Sequence, residues 1–406
     1  MNKKIPLFIV LLCSLQYFNQ GISALPEQCI YYLTRESWHL SAGIIGLISW
    51  VVAIAWYLKV IFAYFVDNVP IKQYKTKYYL FGSYILLLVS YLYIILFGLN
   101  LLSLIVTGII INICIAFSDV ATDRHMVIYE RKYKCAGKVQ SLQWTSLGIA
   151  GLIVALGGAV VAKYFPEHIN YKVAYGLIAV VPIIMLLFLK HKFTERRTIK
   201  RKKINITRNL KILKDKKLIM GLLFIACLNF CPGFGTALMI KMREGLHVDK
   251  MFLGYLGAMG TVLGIVGYIL YYKWAYKFPI KRLLYFMITF TAITNLFYLY
   301  IPNKWFIVGY NLLFGAFSGI AFMTLLAFFI HLIPAGSEAF CYALVTSVNN
   351  FAARGGNFIG GVLFDKFGYS TNVVLSSVFT LLCIFLIPKL KINEILKVYN
   401  ISRREL

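Results

Sequence analysis

The chain has 406 residues, of which 60% are hydrophobic and 14% charged, with a formal net charge of +27 and a mean hydropathy of +0.75. Twelve membrane spans of about 20 residues would use up that apolar stock, whereas a soluble fold, with about 25% charged residues, could not hide it. The composition excludes a soluble enzyme, a disordered chain and a disulfide scaffold, and points to an all-α membrane protein with many spans.

The apolar runs predict twelve spans, at roughly 5–33, 41–65, 78–98, 101–122, 139–163, 172–190, 217–240, 251–273, 282–301, 305–332, 338–363 and 370–388. The first also resembles a secretory signal, with Lys3 and Lys4 before an apolar run and Ile22-Ser23-Ala24 as a cleavage-like site. It stays apolar to Leu33 and carries several polar residues, so it is expected to be a retained first helix, broken near Gly21 and Pro26. Most of the Lys and Arg fall between apolar runs, on the side that puts both termini in the cytoplasm. That bias accounts for the net charge. No stacking aromatics interleave the basic cluster His191 to Lys217, so nucleic acid is not an expected partner. The cluster divides the chain into a six-helix bundle (1–190), a basic cytoplasmic linker (191–216), a second six-helix bundle (217–390) and a cytoplasmic tail (391–406). Two six-helix bundles are the organisation of the major facilitator class, which works by alternating access.

A charge inside a span is by default a functional-site hypothesis; the plain alternatives are an interhelical hydrogen bond or a side chain that snorkels to the surface. In the first span Gln16, Asn19 and Gln20 share a helix face, either lining a cavity or bonding a neighbouring helix. Glu27 is either a proton acceptor or a residue at the outer surface. In the second span Lys59 could snorkel, or could meet an anionic group or an aspartate. Asp67, followed by Lys72 and Lys75, sits where ion pairs would gate a conformational change, with solvated loop residues as the alternative.

The fourth span holds the densest constellation, Ser118-Asp119-Val120-Ala121-Thr122-Asp123-Arg124-His125. Asp119 and Asp123 are one turn apart on one face. Two ionised carboxylates there would repel, which suits one of them to carry a proton. The alternative for Asp123 and Arg124 is that they cap the helix end. In the fifth span Gln140, Gln143 and Trp144 share a face offering amides and an aromatic plane. In the seventh, Asn229 to Gly235 should break the helix where freed backbone faces a cavity. In the eleventh, Ser347, Asn350, Arg354 and Asn357 form one polar stripe. Arg354 either pairs with an acid such as Glu338 or receives a substrate carboxylate. His331 near the end of the tenth span is a packing or titrating residue. The eight cysteines show neither disulfide nor zinc spacing, and no metal or cofactor is expected.

Five blocks carry a resemblance: Trp56-Tyr57-Leu58-Lys59; Asp67-Asn68-Val69-Pro70-Ile71 with Tyr74 and the basic residues before Tyr79-Leu80; Asp119-Val120-Ala121-Thr122-Asp123; Gln140-Ser141-Leu142-Gln143-Trp144; and Pro334, Glu338 with Ser347-Val348-Asn349-Asn350. In this order the sequence resembles the folate-biopterin transporter family, a branch of the major facilitator superfamily. The chain departs from the family pattern at Val60, where a proline is usual, near Ala63, where a glycine is, and at Arg124 and His125, where smaller apolar residues follow the second aspartate.

The resemblance implies a secondary active transporter, not an enzyme, that takes up a folate or pterin together with protons. Substrate would be bound by Gln16, Gln20, Lys59, Asp119, Gln140, Gln143, Trp144, Asn350 and Arg354. Asp119, Asp123 and Glu27 would couple protons, and Asp67, Lys72 and Lys75 would gate. The expected partners are the small-molecule substrate, protons and the lipid bilayer, the expected state a monomer. The expected place is the cell membrane, the cytoplasmic one if the source is bacterial. The competing readings are a transporter of another metabolite, a drug exporter, and a multi-span membrane enzyme, for which no nucleophile or metal cluster is visible.

Overall fold

The computed structural model describes residues 6–133, 138–193, 195, 213–332 and 338–390. Most of the basic linker, the tail from 391, Cys135 and Pro334 lie outside the described residues, as do the side chains of His331 and Glu338.

Among the described residues the protein is helical throughout, with only an isolated bridge between Ile71 and Tyr74. The helices are α1 (Leu7–Ile22), α2 (Glu27–Tyr32), α3 (Ala42–Val52), α4 (Ile54–Tyr57), α5 (Lys59–Asn68), α6 (Lys77–Phe97), α7 (Leu101–Tyr133), α8 (Lys138–Tyr164), α9 (Glu167–Ile178), α10 (Val180–His191), α11 (Lys216–Asn229), α12 (Gly235–Ile240), α13 (Lys250–Lys273), α14 (Ile280–Leu296), α15 (Lys304–Leu332) and α16 (Glu338–Leu382). Nine helical stretches among the described residues are long and apolar enough to cross a membrane. The last of these, Phe340–Leu390, is two spans joined at Gly368, whose φ of 78° suits a residue without Cβ. The second and seventh spans are strings of shorter helices, and with them the count is twelve.

The second span is not the single helix expected over 41–65. It breaks at Ala53 and Leu58, where ψ swings to 8° and 11°. There the amides of Trp56 and Ile61 bond three residues back rather than four, to Ala53 and Leu58. This overwinding turns Trp56 and Lys59 towards the fourth span. The break expected in the seventh span is present between Asn229 and Gly235, and part of its backbone is bonded and packed against another helix of the second unit. The Gly233 amide donates to the Gly356 carbonyl at 2.9 Å, and a Cβ on Gly356 would fall 2.6 Å from the carbonyl oxygens of Asn229 and Cys231. Glycines in α16 let the broken chain bond another helix's backbone. The first span breaks at Ser23–Pro26, as Gly21 and Pro26 suggest.

The chain divides by contact into two units. The first comprises Met1–His39, Val51–Ile204 and Lys250–Ala258; the second Leu40–Trp50, Asn205–Asp249 and Met259–Leu406. In the first, α6 turns Leu80, Tyr84, Leu87, Tyr91 and Ile94 inward at helical spacing, while Ile85, Leu86, Val89 and Leu96 stay exposed. A helix apolar all round is what a lipid-facing span requires. In the second, Phe224, Ile225, Leu284, Ile288, Phe328, Phe329 and Val345 form the core.

The two halves of the sequence repeat one local structure at a constant offset. A π-helical turn, Leu33–Ser37 or Lys241–Gly245, ends the first span of each half. It carries Arg35-Glu36 or Arg243-Glu244 and runs into His39 (φ 53°) or His247 (φ 49°). The next helix starts at Ala42 or, at the same offset, Lys250. The segments exchanged in the division by contact are these equivalent helix starts. Gly46 lets Leu40–Trp50 lie against Phe358, and its counterpart Gly254 lets Lys250–Ala258 lie against Ala155 and Ala159.

A Cβ on Gly254 would sit 2.7 Å from the Ala155 carbonyl oxygen, and one on Gly46 2.8 Å from the Phe358 Cα, backbone atoms that cannot turn aside. Gly254→Leu and Gly46→Leu should each destabilise the protein by about 1–3 kcal/mol, read as a lower melting temperature in detergent. Gly82, where a Cβ would meet nothing within 4 Å, is the control. Equal melting of Gly254→Leu and Gly82→Leu would contradict the packing.

Candidate functional site

The fourth span does not end at 122 as expected; α7 runs on to Tyr133. Asp123, Arg124 and His125 are therefore in the body of a helix and do not cap its end. One face of α7 presents Ser118, Asp119, Thr122 and Asp123 within the first unit, and the overwound second span delivers Lys59 to it. The Lys59 ammonium pairs with Asp119 Oδ2 and lies 3.9 Å from Asp123 Oδ2. Asp119 is 1% exposed, Lys59 16% and Asp123 29%, so the pair is enclosed and the second carboxylate is its open side.

Neighbouring helices hold this triad in place. Lys59 Nζ stands 5.5 Å from the centroid of the Trp56 ring. The indole is fixed by Trp56 Nε1 donating to Asn112 Oδ1 at 2.8 Å, while Asn112 Nδ2 donates to the Gly108 carbonyl. Asp123 Oδ1 accepts from the Tyr17 hydroxyl at 3.0 Å and from Gln143 Nε2 at 3.3 Å. The Tyr17 ring meets Trp144 edge-on, with centroids 6.4 Å apart. Gln16 is fully buried: its Nε2 donates to Ser118 Oγ at 3.0 Å and its Oε1 accepts from Tyr84, so its amide joins three helices. Buried polar atoms here without a hydrogen-bond partner include both Asp119 carboxylate oxygens, Thr122 Oγ1, Gln143 Oε1, Asn19 Nδ2 and Gln20 Oε1.

Of the expected site residues, the structure brings together Gln16, Lys59, Asp119, Asp123, Gln143 and Trp144. Gln140 is exposed in the first turn of α8. Glu27 is exposed at the start of α2, away from this cluster. Asn350 and Arg354 lie on α16 in the second unit, where Arg354 Nη1 donates to Ser49 Oγ at 2.9 Å.

The expected gate is rearranged. Asp67 pairs with Arg124, whose Nε is 3.0 Å from Oδ1, while Lys75 Nζ donates to the Asp67 backbone carbonyl at 2.8 Å. Lys72 is exposed with φ 46°, its ammonium 5.5 Å from the Tyr78 ring. Neither lysine is the ionic partner of the Asp67 side chain. Sequence reasoning missed Glu195, whose carboxylate accepts from the amides of Lys75, Thr76 and Lys77 and so caps α6. It also missed that His125 Nε2 meets Thr76 Oγ1 at 2.6 Å. An acid alone in a basic segment was the available signal for Glu195. No group of three or more metal-ligating side chains occurs among the described residues.

A family model described as the BT1 family matches residues 20–395. The chain belongs to the BT1 family. It is 23% identical over 355 residues to a folate-biopterin transporter of Synechocystis, covering 83% of this chain and 70% of that one. It is 24% identical over 372 residues to folate transporter 1 of Plasmodium falciparum, covering 87% and 71%. Among solved structures it is similar to a bacterial homologue of the human lysosomal transporter Spinster, with a TM-score of 0.73, 10% identity and coverage of 98% and 99%. It is also similar to the xylose transporter XylE of E. coli, with a TM-score of 0.70, 11% identity and coverage of 95% and 96%. The fold is thus that of the major facilitator transporters, and the protein is a multi-pass membrane transporter rather than an enzyme.

Removing one partner of an enclosed ion pair leaves an uncompensated charge and costs about 3–5 kcal/mol. Lys59→Met should therefore destabilise the protein by about that much. Lys59→Met combined with Asp119→Asn should recover part of the loss, measured as a double-mutant cycle of detergent melting. Additive effects of the two changes would contradict the pairing.

Proposed function

We propose that the protein takes up a folate or pterin by alternating access in symport with protons, and that the Lys59–Asp119–Asp123 triad is where the cargo and the proton exchange. The observation that carries this reading is one ammonium shared by two carboxylates: with all three ionised the group holds one uncompensated negative charge. A proton on either carboxylate neutralises it. Cargo can engage the group in one of two ways: a folate carboxylate claims Lys59, or a pterin ring presents its N–H and amino edge, where two donors point the same way, to Asp119. Gln143 Oε1 and Thr122 Oγ1, both buried and unpartnered, supply further acceptors for ring N–H groups. The Trp144 plane supplies a stacking surface. The names of the Synechocystis and Plasmodium relatives support the cargo class.

We assign the remaining roles on the same reading. Gln16 holds the site's helices together, and Gln20 and Gln140 serve substrate on its approach. Asn350 and Arg354 offer an amide and a cation for the glutamate tail of a folate. Glu27 takes a proton at the far end of the first span. Asp67 gates through Arg124, with Lys75 and Lys72 holding the loop. The halves 1–190 and 217–390 are the bodies of alternating access, acting in a monomer. Both termini lie in the cytoplasm, and in a bacterium the membrane is the cytoplasmic one.

The test is uptake of labelled folate into proteoliposomes with and without an inward proton gradient. The gradient should stimulate accumulation. Asp119→Asn and Arg354→Gln should each lower uptake about 10- to 100-fold, the worth of one charge-assisted hydrogen bond, with the protein still folded and inserted. Unchanged uptake in both variants would overturn the site. No uptake by correctly oriented wild-type protein would overturn the cargo.

A further inference from the structure

The opposite end of the spans from Asp67 and Arg124 carries a second charge cluster that the transport site does not use. Lys250, the first residue of α13, lies within the first unit. Its Nζ is 3.0 Å from Glu167 Oε1, 3.5 Å from Glu36 Oε2 and 4.3 Å from the centroid of the Tyr32 ring. Ser37 Oγ donates to the other oxygen of Glu167 at 3.0 Å. Three segments distant in sequence thus meet on one ammonium: the π-helical turn after the first span, the start of the sixth, and the start of the eighth.

The internal repeat shows that this cluster occupies a special position. The residue equivalent to Lys250 in the other half is Ala42, where the chain offers no cation. That helix start is also tied by a carboxylate, however: Asp365 accepts from the backbone amides of Ala42 at 3.1 Å and Gly43 at 2.7 Å. Both of these helix starts are held by carboxylates, one through Lys250 by Glu36 and Glu167, the other through its bare amides by Asp365. Each is followed by a glycine, Gly254 or Gly46, that allows backbone-close packing against a neighbouring helix.

We propose that Lys250, Glu36 and Glu167 form a latch that holds the opening turns of α13 against the first, fifth and sixth spans and is released in every transport cycle. The proposal rests on the protein being an alternating-access transporter and not on which cargo it carries. The chemistry suits a reversible closure. The Lys250 side chain is 14% exposed and Glu36 and Glu167 are 27% and 40% exposed. Partly solvated ion pairs contribute little net stability, so the same three charges can be hydrated when the end opens. The cluster is also lopsided, with two acids on one cation. Removing Lys250 leaves Glu36 and Glu167 to repel, which favours opening, whereas removing Glu36 leaves the Lys250–Glu167 pair intact.

Hydrogen exchange of the full chain in nanodiscs tests the holding step. Lys250→Gln should raise exchange in Lys250–Ala258 and Leu33–His39 about tenfold or more, and Glu36→Gln should raise it less. The charge-swapped pair Lys250→Glu with Glu167→Lys should restore wild-type protection. If Lys250→Gln does not fold, the double change Glu36→Gln with Glu167→Gln, which leaves Lys250 without either acid, takes its place with the same expected rise. Wild-type exchange in the neutralised variant, or a swapped pair as unprotected as Lys250→Gln, would overturn the latch. Release is tested by joining Glu36→Cys to Lys250→Cys with an oxidant, which should stop folate uptake until a reductant is added. Full uptake by the joined protein would overturn the requirement for release. If wild-type protein carries no folate at all, the cargo reading fails while the exchange result still decides the latch.

Discussion

A lysine ammonium enclosed in a membrane span persists only if its charge is answered there, and Lys59 is answered by Asp119, with Asp123 a step further out. Much of the first unit's irregularity serves this arrangement. The second span gives up regular helix at Ala53 and Leu58 and so aims Lys59 at α7. Asn112 spends its side chain fixing the indole beside the ammonium. Tyr17 and Gln143 hold Asp123 from two other helices, and Gln16 ties Ser118 to Tyr84 behind it. A hydrophobic isostere of the triad would be easier to bury. Retaining two carboxylates on one cation makes sense where charge has to change hands.

The repeat between the halves concerns backbone more than side chains. Both halves make the same π-helical turn, the same left-handed histidine and the same glycine-cleared helix start. Their chemistry diverges within that frame. The first half carries the Lys59–Asp119–Asp123 cluster, while the second uses glycines in α16 to receive the broken seventh span. Lys250 replaces an alanine at the equivalent helix start. The shared geometry lets helices approach closely in both halves, while the charges differ between them.

Much of this was legible in the sequence for identifiable reasons. Hydropathy locates spans because lipid imposes one length and one composition on them, and Asp119 and Asp123 stood out because acids in apolar runs are costly. The break at Asn229–Gly235 was announced by Pro232 and Gly233. The breaks at Ala53 and Leu58 had no such residue; they arise from what Trp56 and Lys59 bond across the bundle, which spacing along one helix does not show. The same holds for Asp67, whose basic sequence neighbours suggested Lys72 and Lys75 while the fold supplied Arg124. The end of α7 was misplaced because charged residues after Ala121 look like a loop, although their partners keep them helical. Glu195 and Lys250 act on segments far from them in sequence, which spacing along the chain does not reveal.

The central claim is that cargo and proton exchange on the Lys59 triad, and the proton count on binding tests it most directly. Folate would be titrated into purified protein in weakly buffered detergent solution while free protons are followed. If a substrate carboxylate takes Lys59, the two aspartates lose their cation and face each other as like charges, which a proton on one of them relieves, so the account predicts an uptake of about one proton per bound folate. That uptake should vanish when Asp119 and Asp123 are both replaced by Asn. Tight folate binding with no change in free protons, or an uptake that survives loss of both aspartates, would contradict it.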